Sequence, residues 1–371
     1  LHRPRPSPED GGPVTVEAAP RPLPAARRPG TVVRVGPVSG IVRWRHLVVP
    51  LAAFAVLVLL SAVSLGRGDF PIGVPDVLRT LVGLGEGAQD FIILELRAPR
   101  IVVGLLVGLA LGVAGALFQT FARNPLASPD TLGITMGASV GAVAAIVLTS
   151  GGAVAGLGIP LAALLGALLV GVLLFVLTWR AGVDGYRLVL VGIALWSVCA
   201  ALVDWLLTNA EIYDAASAYV WITGSLNART WENAVPLAVA LAVLLPLALA
   251  ASRSLAVLQF GDDTARGLGV RLQTAQVAVV LIAIGCVAFA VSAAGPITFV
   301  ALVVPQIAVR LTGGSRPPLL ASGLLGAALV VGADLVTRTV LPEALPVGIL
   351  TAVLGAPYLL WLLVRGRRRF T

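Results

Sequence analysis

Residues 253–271 read RSLAVLQFGDDTARGLGVR, the longest polar interruption in the C-terminal half of a chain that is otherwise almost continuously apolar. The stretch has an internal order. Ser254 to Phe260 has the makings of one short helix, and Gly261 breaks it. Asp262 and Asp263 stand where a second helix would begin, suited to its free N–H groups and to the positive end of its dipole. Gly269 stands where that helix would end in a left-handed residue. Two short helices joined by a glycine and hung between apolar runs predict a docking surface rather than a slack connector.

The runs on either side set the fold class. Of 371 residues 58% are hydrophobic and only 12% charged, with a mean hydropathy of +0.98, a balance that belongs to polytopic membrane proteins. Ten apolar runs are expected to cross the bilayer, at 46–65, 100–121, 132–150, 155–178, 187–208, 233–251, 275–294, 297–311, 319–337 and 346–364. Strands of a membrane barrel would alternate apolar and polar residues, and these runs do not, so the expected fold is all-α. The eighth run is short and follows Gly295-Pro296, so the seventh and eighth are read as one bent unit. Residues 1–45, rich in Pro, Gly and Arg, read as a disordered tail. The first apolar run comes late and has full span length, which predicts a span rather than a secretory signal. The membrane domain is expected to run over 46–366, with 367–371 as a second short tail.

Orientation follows from the arginines. With the N-terminus inside, the inner segments hold twenty, including eight in the N-terminal tail, Arg123, Arg253, Arg266, Arg271, Arg310 and Arg316. The outer segments hold six: Arg67, Arg79, Arg97, Arg100, Arg229 and Arg338. Both termini and the 253–271 loop are therefore expected in the cytoplasm. The formal charge of +8 is thus a topology signal, and no nucleic-acid partner is inferred from it. All 26 basic residues are Arg. A phosphate-binding P-loop needs a Lys, so any ATP that drives this chain must be bound by another subunit. Cys199 and Cys286 are far apart in apolar runs and read as buried small hydrophobes, with neither a disulfide nor a metal site expected.

Gly104, Gly108, Gly112 and Gly115 lie on one stripe of the second run, which lets another helix approach closely. Asp204 and Asp334 fall toward outer ends of runs, where water would reach them, and read as structural groups. Arg97, Arg100 and Arg338 stand at span ends on the side where topology disfavours Arg. Two readings stay open for them: snorkelling to lipid headgroups, or a patch that pairs acidic residues of a partner. No nucleophile and base stand out as a catalytic set, and no cofactor is expected on this chain.

The strings RAPR (97–100), RNPLASPDTLG (123–133), GDDTARGLGV (261–270), AAGPITFVALVVPQIAVR (293–310) and ALPVGILTAVLGAPYLLWLL (344–363) resemble the signature of the iron–siderophore and cobalamin ABC importer permease family, the FecCD type. With GSLNARTW (224–231), the nearest resemblance is to ferric-enterobactin permeases. The resemblance implies a multi-pass subunit of the cytoplasmic (inner) membrane, paired with a second permease, identical or different. It also implies two cytoplasmic ATPases carrying ATP and Mg, and an extracytoplasmic siderophore-binding protein. It implies that Gly261, Asp262, Asp263, Arg266, Leu268 and Gly269 form the ATPase-coupling surface, and that Arg97, Arg100 and Arg338 dock the binding protein. A cytoplasmic gate would lie at Asp184 and Gly185, with a second constriction at Asn124 and Leu126. One departure is Gln306, which stands where the family string carries His, so no proton or metal chemistry is assigned there. The same mechanism would also serve cobalamin or haem. An ion-driven secondary transporter would want ionisable groups near the midplane of its spans, and these spans hold almost none.

Overall fold

The structure is a computed structural model that describes residues 31–35, 38–42, 44–68, 70–85, 87–148, 158–179, 185–258, 262–269, 271–341 and 345–367. In lipid every backbone N–H and C=O must find its partner within the protein, so an apolar run of span length is driven to close its own i→i−4 ladder. From Arg45 onward the chain does this repeatedly. Helix α1 (Arg45–Gly66) is followed by α2 (Val74–Leu81) and α3 (Ala88–Asp90), which passes through a π-helical turn (Phe91–Arg97) into α4 (Ala98–Phe121). Then come α5 (Ile134–Leu148), α6 (Gly158–Thr178), α7 (Gly185–Thr208), α8 (Ile212–Ile222), α9 (Trp231–Leu258), α10 (Asp262–Gly267), α11 (Leu272–Ala294), α12 (Val300–Thr312), α13 (Leu319–Thr339) and α14 (Val347–Arg367).

Among the described residues, seven helical stretches are long and apolar enough to cross a membrane, and three more, Ile134–Leu148, Val300–Thr312 and Val347–Trp361, are apolar but shorter. Each of the ten predicted runs falls on one of these. Burial separates centre from periphery. In the apolar 18-residue stretches of Ala88–Phe121 and Leu272–Ala294, 78% of the residues are buried, whereas in those of α1, α7 and α9 only 22% are. Helices α4 and α11 therefore form the core, and the outer helices turn side chains such as Leu169, Trp205 and Val239 outward.

The glycine stripe explains how α4 reaches the centre. A Cβ on Gly108 would lie 2.3 Å from the carbonyl oxygen of Gly326, one on Gly112 2.2 Å from that of Ser322, and one on Gly115 1.9 Å from that of Ala301. Helix α4 thus packs backbone to backbone against α13 and the start of α12. Gly104, one turn further along, faces the Leu226 side chain instead. A second contact of this kind joins α5 to α6. There Gly166 sits against the Gly137 carbonyl and Gly141 against that of Ala162.

Four elements differ from expectation. Ser254 to Leu258 is not a separate helix but the end of α9, because Ala251, Ser252 and Arg253 contain no breaker between the predicted span and its extension; Gln259 and Phe260 lie outside the described residues. The seventh and eighth runs are two helices rather than one bent rod. Residues 295–299 leave the helical path, with Gly295 at φ +74° and Phe299 at φ +66°. Non-helical backbone is tolerated in such a chain only when protein encloses it, and Gly295, Pro296 and Ile297 are all buried. From the sequence, Ala216 to Ile222 is expected as a short surface helix ending near Gly224; the helix begins earlier, at Ile212, and Gly224 follows it at φ +68°. Finally, within the expected tail, Thr31–Val35 (β1) and Val38–Val42 (β2) pair as an antiparallel hairpin, from Thr31 with Val42 to Val35 with Val38. The hairpin belongs to a unit separate from the helical domain.

Gly112→Leu is expected to cost more than about 3 kcal/mol, since an overpacked contact here has backbone and no pliable side chain on its far side. The melting temperature of the detergent-purified protein measures it. Gly267→Leu is the contrast, because a Cβ there meets nothing within 4 Å.

Candidate functional site

Helix α4 has polar clusters beyond both of its ends, roughly 35 Å apart by the 1.5 Å rise of a 24-residue helix. At its C-terminal end the chain enters the turn 122–133, from which Arg123 reaches the Leu258 carbonyl at the end of α9. Asp262 and Asp263 open α10, as the end signals predicted. Ala265 is fully buried and fastens α10 to a small apolar seat made by Leu258 and Leu272. Arg266, Leu268 and Gly269 are exposed, Leu268 at 64%. Gly269 ends the turn at φ +79°, its N–H donating to the Arg266 carbonyl at 3.0 Å. Gly261 lies outside the described residues.

Three of the gate candidates lie at this end of α4. The Asn124 Oδ1 accepts the Leu126 N–H at 2.9 Å, which ties RNPLA into a tight turn. Gly185, at the start of α7, packs on the Ala122 carbonyl, from which a Cβ would be 2.4 Å away. Asp184 lies outside the described residues. Gln306 pairs its amide with Gln119 Oε1 at 2.5 Å, and Gln119 in turn donates to the Leu302 carbonyl at 2.9 Å. The Gln306 amide is therefore part of a side-chain network joining α4 to α12. A polar cavity of about 310 Å³ opens here, lined by Gln119, Asn124, Gln306 and Arg316 among others.

Sequence reasoning passed over Asp130, which has a defined task. Its carboxylate accepts the Phe299 N–H at 3.3 Å, so the α4–α5 connection caps α12 across the fold. Burial, opposed in part by that N–H and by the Thr135 hydroxyl, pushes its carboxyl up to about 6.

At the N-terminal end of α4 the π-helical turn delivers Arg97, and α4 itself carries Arg100. Arg100 grips Asp334 with both prongs, Nη2 at 2.7 Å from Oδ1 and Nε at 3.0 Å from Oδ2. Arg338, one turn beyond Asp334 on α13, brings Nε to 3.1 Å of the same carboxylate and donates to the Ser64 hydroxyl. Arg97 donates to the carbonyls of Leu65 at 2.7 Å and Phe70 at 2.6 Å. All three guanidinium groups line one cavity of about 360 Å³, together with Asn227. The three predicted docking arginines are thus brought together, but around an internal carboxylate. Asp334 is 3% exposed, so the expectation of a water-reached acid is corrected. Two guanidiniums in contact exclude water from it and take its place. Asp204, by contrast, is exposed. The i, i+4 spacing of Asp334 and Arg338 was the available signal. Nothing in the string marks Arg100 as its second partner, 234 residues away.

Two outcomes follow for stability. Asp334→Ala leaves two largely buried guanidinium groups uncompensated and is expected to cost about 3 kcal/mol, part of which Arg100→Leu restores in the double variant. Strictly additive losses in melting temperature would rule the pairing out. The raised Asp130 carboxyl means that the folded protein holds the proton more tightly than the unfolded chain. Its contribution is fully present below 3.8 and is lost as pH rises through about 6. Melting temperatures across that window should fall less steeply with rising pH in Asp130→Asn than in the parent.

The fold has counterparts in known proteins. The chain is 37% identical over 326 residues to the ferric enterobactin transport system permease protein FepG of Escherichia coli (strain K12), covering 88% of this chain and 98% of that protein. It is 41% identical to the Fe(3+) dicitrate transport system permease protein FecD of the same organism, covering 86% of this chain and 99% of the other. It is 39% identical to the achromobactin transport system permease protein CbrC of Dickeya dadantii (strain 3937), covering 86% and 91%. A solved structure described as an inward-facing conformation of a metal-chelate type ABC transporter superposes with a TM-score of 0.74 at 28% identity, covering 86% of this chain and 99% of that one. The FecCD transport family model matches residues 55–365, nearly the whole helical domain with α10 and both polar clusters inside it, and the chain belongs to that family.

Proposed function

We propose that this chain is the membrane-spanning permease subunit of a binding-protein-dependent ABC importer that carries a ferric chelate, a siderophore or ferric citrate, across the cytoplasmic membrane. The observation that carries this reading is α10, a short helix held on the bundle by Ala265 while it turns Leu268 and Arg266 outward. A partner that seats on this helix can move the inner end of the bundle without entering the membrane. With no Lys in the chain, that partner supplies the ATP site. The chain itself carries out no bond chemistry.

At the other end, three guanidinium groups face a cavity against one carboxylate, which leaves a formal excess of two positive charges. That excess suits an acidic patch on an extracytoplasmic binding protein, since Arg pairs carboxylates in two-pronged fashion. The Arg bias of the loops supports a reading with this cluster outside and α10 inside. In the resulting cycle, a loaded binding protein docks on Arg97, Arg100 and Arg338, and its chelate enters the path between two permease subunits. ATP binding by the partner pair then moves α10, and the segments at Asn124, Leu126 and Gly185 change the inner opening. The ferric chelate is cargo and needs no resident ligand.

Asp262→Arg with Asp263→Arg reverses the charge at the start of α10 and is expected to abolish co-purification of the ATPase and to reduce ferric-chelate uptake at least about tenfold, with the permease still folded. Uptake into vesicles that follows a proton or sodium gradient without ATP would overturn the reading.

A further inference from the structure

We propose that Arg123 is the positioning residue that ties the gate turn to the coupling helix. This inference rests on the reading of α10 as the ATPase seat. Four observations converge on it. First, Arg123 has φ +52°, a left-handed conformation that costs any residue with a side chain. It stands two residues beyond the last residue of α4, the position at which helices favour glycine. An arginine retained there does something that a glycine would not.

Second, its Nη2 donates to the Leu258 carbonyl at 2.8 Å. Leu258 is the last residue of α9, where the helix leaves carbonyls without intrahelical partners and the dipole is negative, so a guanidinium is well placed. Third, the side chain of that same Leu258 forms the apolar seat of α10 with Ala265 and Leu272. One residue therefore holds the coupling helix through its side chain and the gate turn through its carbonyl. A displacement of α10 reaches Asn124 and Leu126 through two contacts.

Fourth, the turn has space on one side and a hard stop on the other. The polar cavity of about 310 Å³ adjoins Arg123 and Asn124, while Gly185 bears directly on the Ala122 carbonyl. Arg316 donates to the Ser252 carbonyl at 3.1 Å, so α9 is held a turn and a half before its end and only the last stretch is left to follow α10.

The test uses the assembled importer in proteoliposomes with Leu126→Cys labelled by a bulky maleimide, with and without ATP. Arg123→Gly removes the guanidinium and also relieves the left-handed strain, so melting temperature should hold or rise. The ATP-induced change in labelling rate is expected to shrink at least about fivefold while ATP hydrolysis continues, with Arg123→Lys intermediate. A full ATP response in Arg123→Gly overturns the inference. The Asp262→Arg, Asp263→Arg variant separates the two readings. If it keeps the ATP response, the docking role of α10 fails and this inference with it. If it loses the response while Arg123→Gly keeps it, only the role of Arg123 fails.

Discussion

The contact between the Gly108 and Gly326 backbones is the constraint on which the rest of the helical domain depends. Lipid chains are as apolar as leucine, so helices in a bilayer gain little from hiding apolar surface and associate through close packing. Helix α4 reaches the centre because Gly108, Gly112 and Gly115 present no side chains to α13 and α12. Its burial then brings its two ends to where they matter. Arg100 meets Asp334 on α13 at one end, and Arg123 meets the last carbonyl of α9 at the other. A wider α4–α13 separation would move Arg100 away from Asp334 and break the cluster without touching any charged residue.

The Arg100–Asp334–Arg338 arrangement carries a tension of its own. Taking a carboxylate out of water is expensive, and only excellent geometry offsets the cost. Arg100 supplies it with two-pronged hydrogen bonds, and Arg338 adds a charge contact, its Nε 3.1 Å from the carboxylate. One acid between two bases also keeps the cluster positive toward its cavity. Asp334 therefore orients the arginines while leaving them able to attract a further carboxylate. With Arg97 on the same cavity, a second internal acid would lower the formal excess from two positive charges to one.

Much of this was legible in the string, and the divide follows the range of the interactions. The ten apolar runs, the glycine stripe, and the start and end of α10 at Asp262 and Gly269 are local patterns, and each has a matching element. The errors at 254–260 and at 295–299 are boundary errors, where no local signal says whether a helix continues. The hairpin of 31–42 arose in a Pro- and Gly-rich segment with no periodic pattern to announce it. What could not be read are pairings across the chain. Arg100 with Asp334, Asp130 with the Phe299 N–H, and Arg123 with the Leu258 carbonyl all depend on which helices are neighbours. The Arg97 turn was missed for another reason. A π-helical stretch shares the composition of an α-helix and differs only in where its backbone bonds close.

The same backbone packing limits how such a bundle can move. A contact made of carbonyl against Cα has no rotamers to change, so α4 and α13 must travel as one body. Any conformational cycle is then confined to segments that lack such contacts, and two are evident. A Cβ at Gly267 or Gly269 would meet nothing within 4 Å, so α10 is free on its outward face. The turn after α4 adjoins a cavity at Asn124 and Pro125, beyond its contact with Gly185 at Ala122. These compliant segments lie at the same end of the bundle and are joined through Leu258. The opposite end is held by ion pairs and backbone hydrogen bonds. A rigid receiving end and a compliant working end on one inflexible central helix suit a subunit that docks a partner on one side of the membrane and is moved from the other.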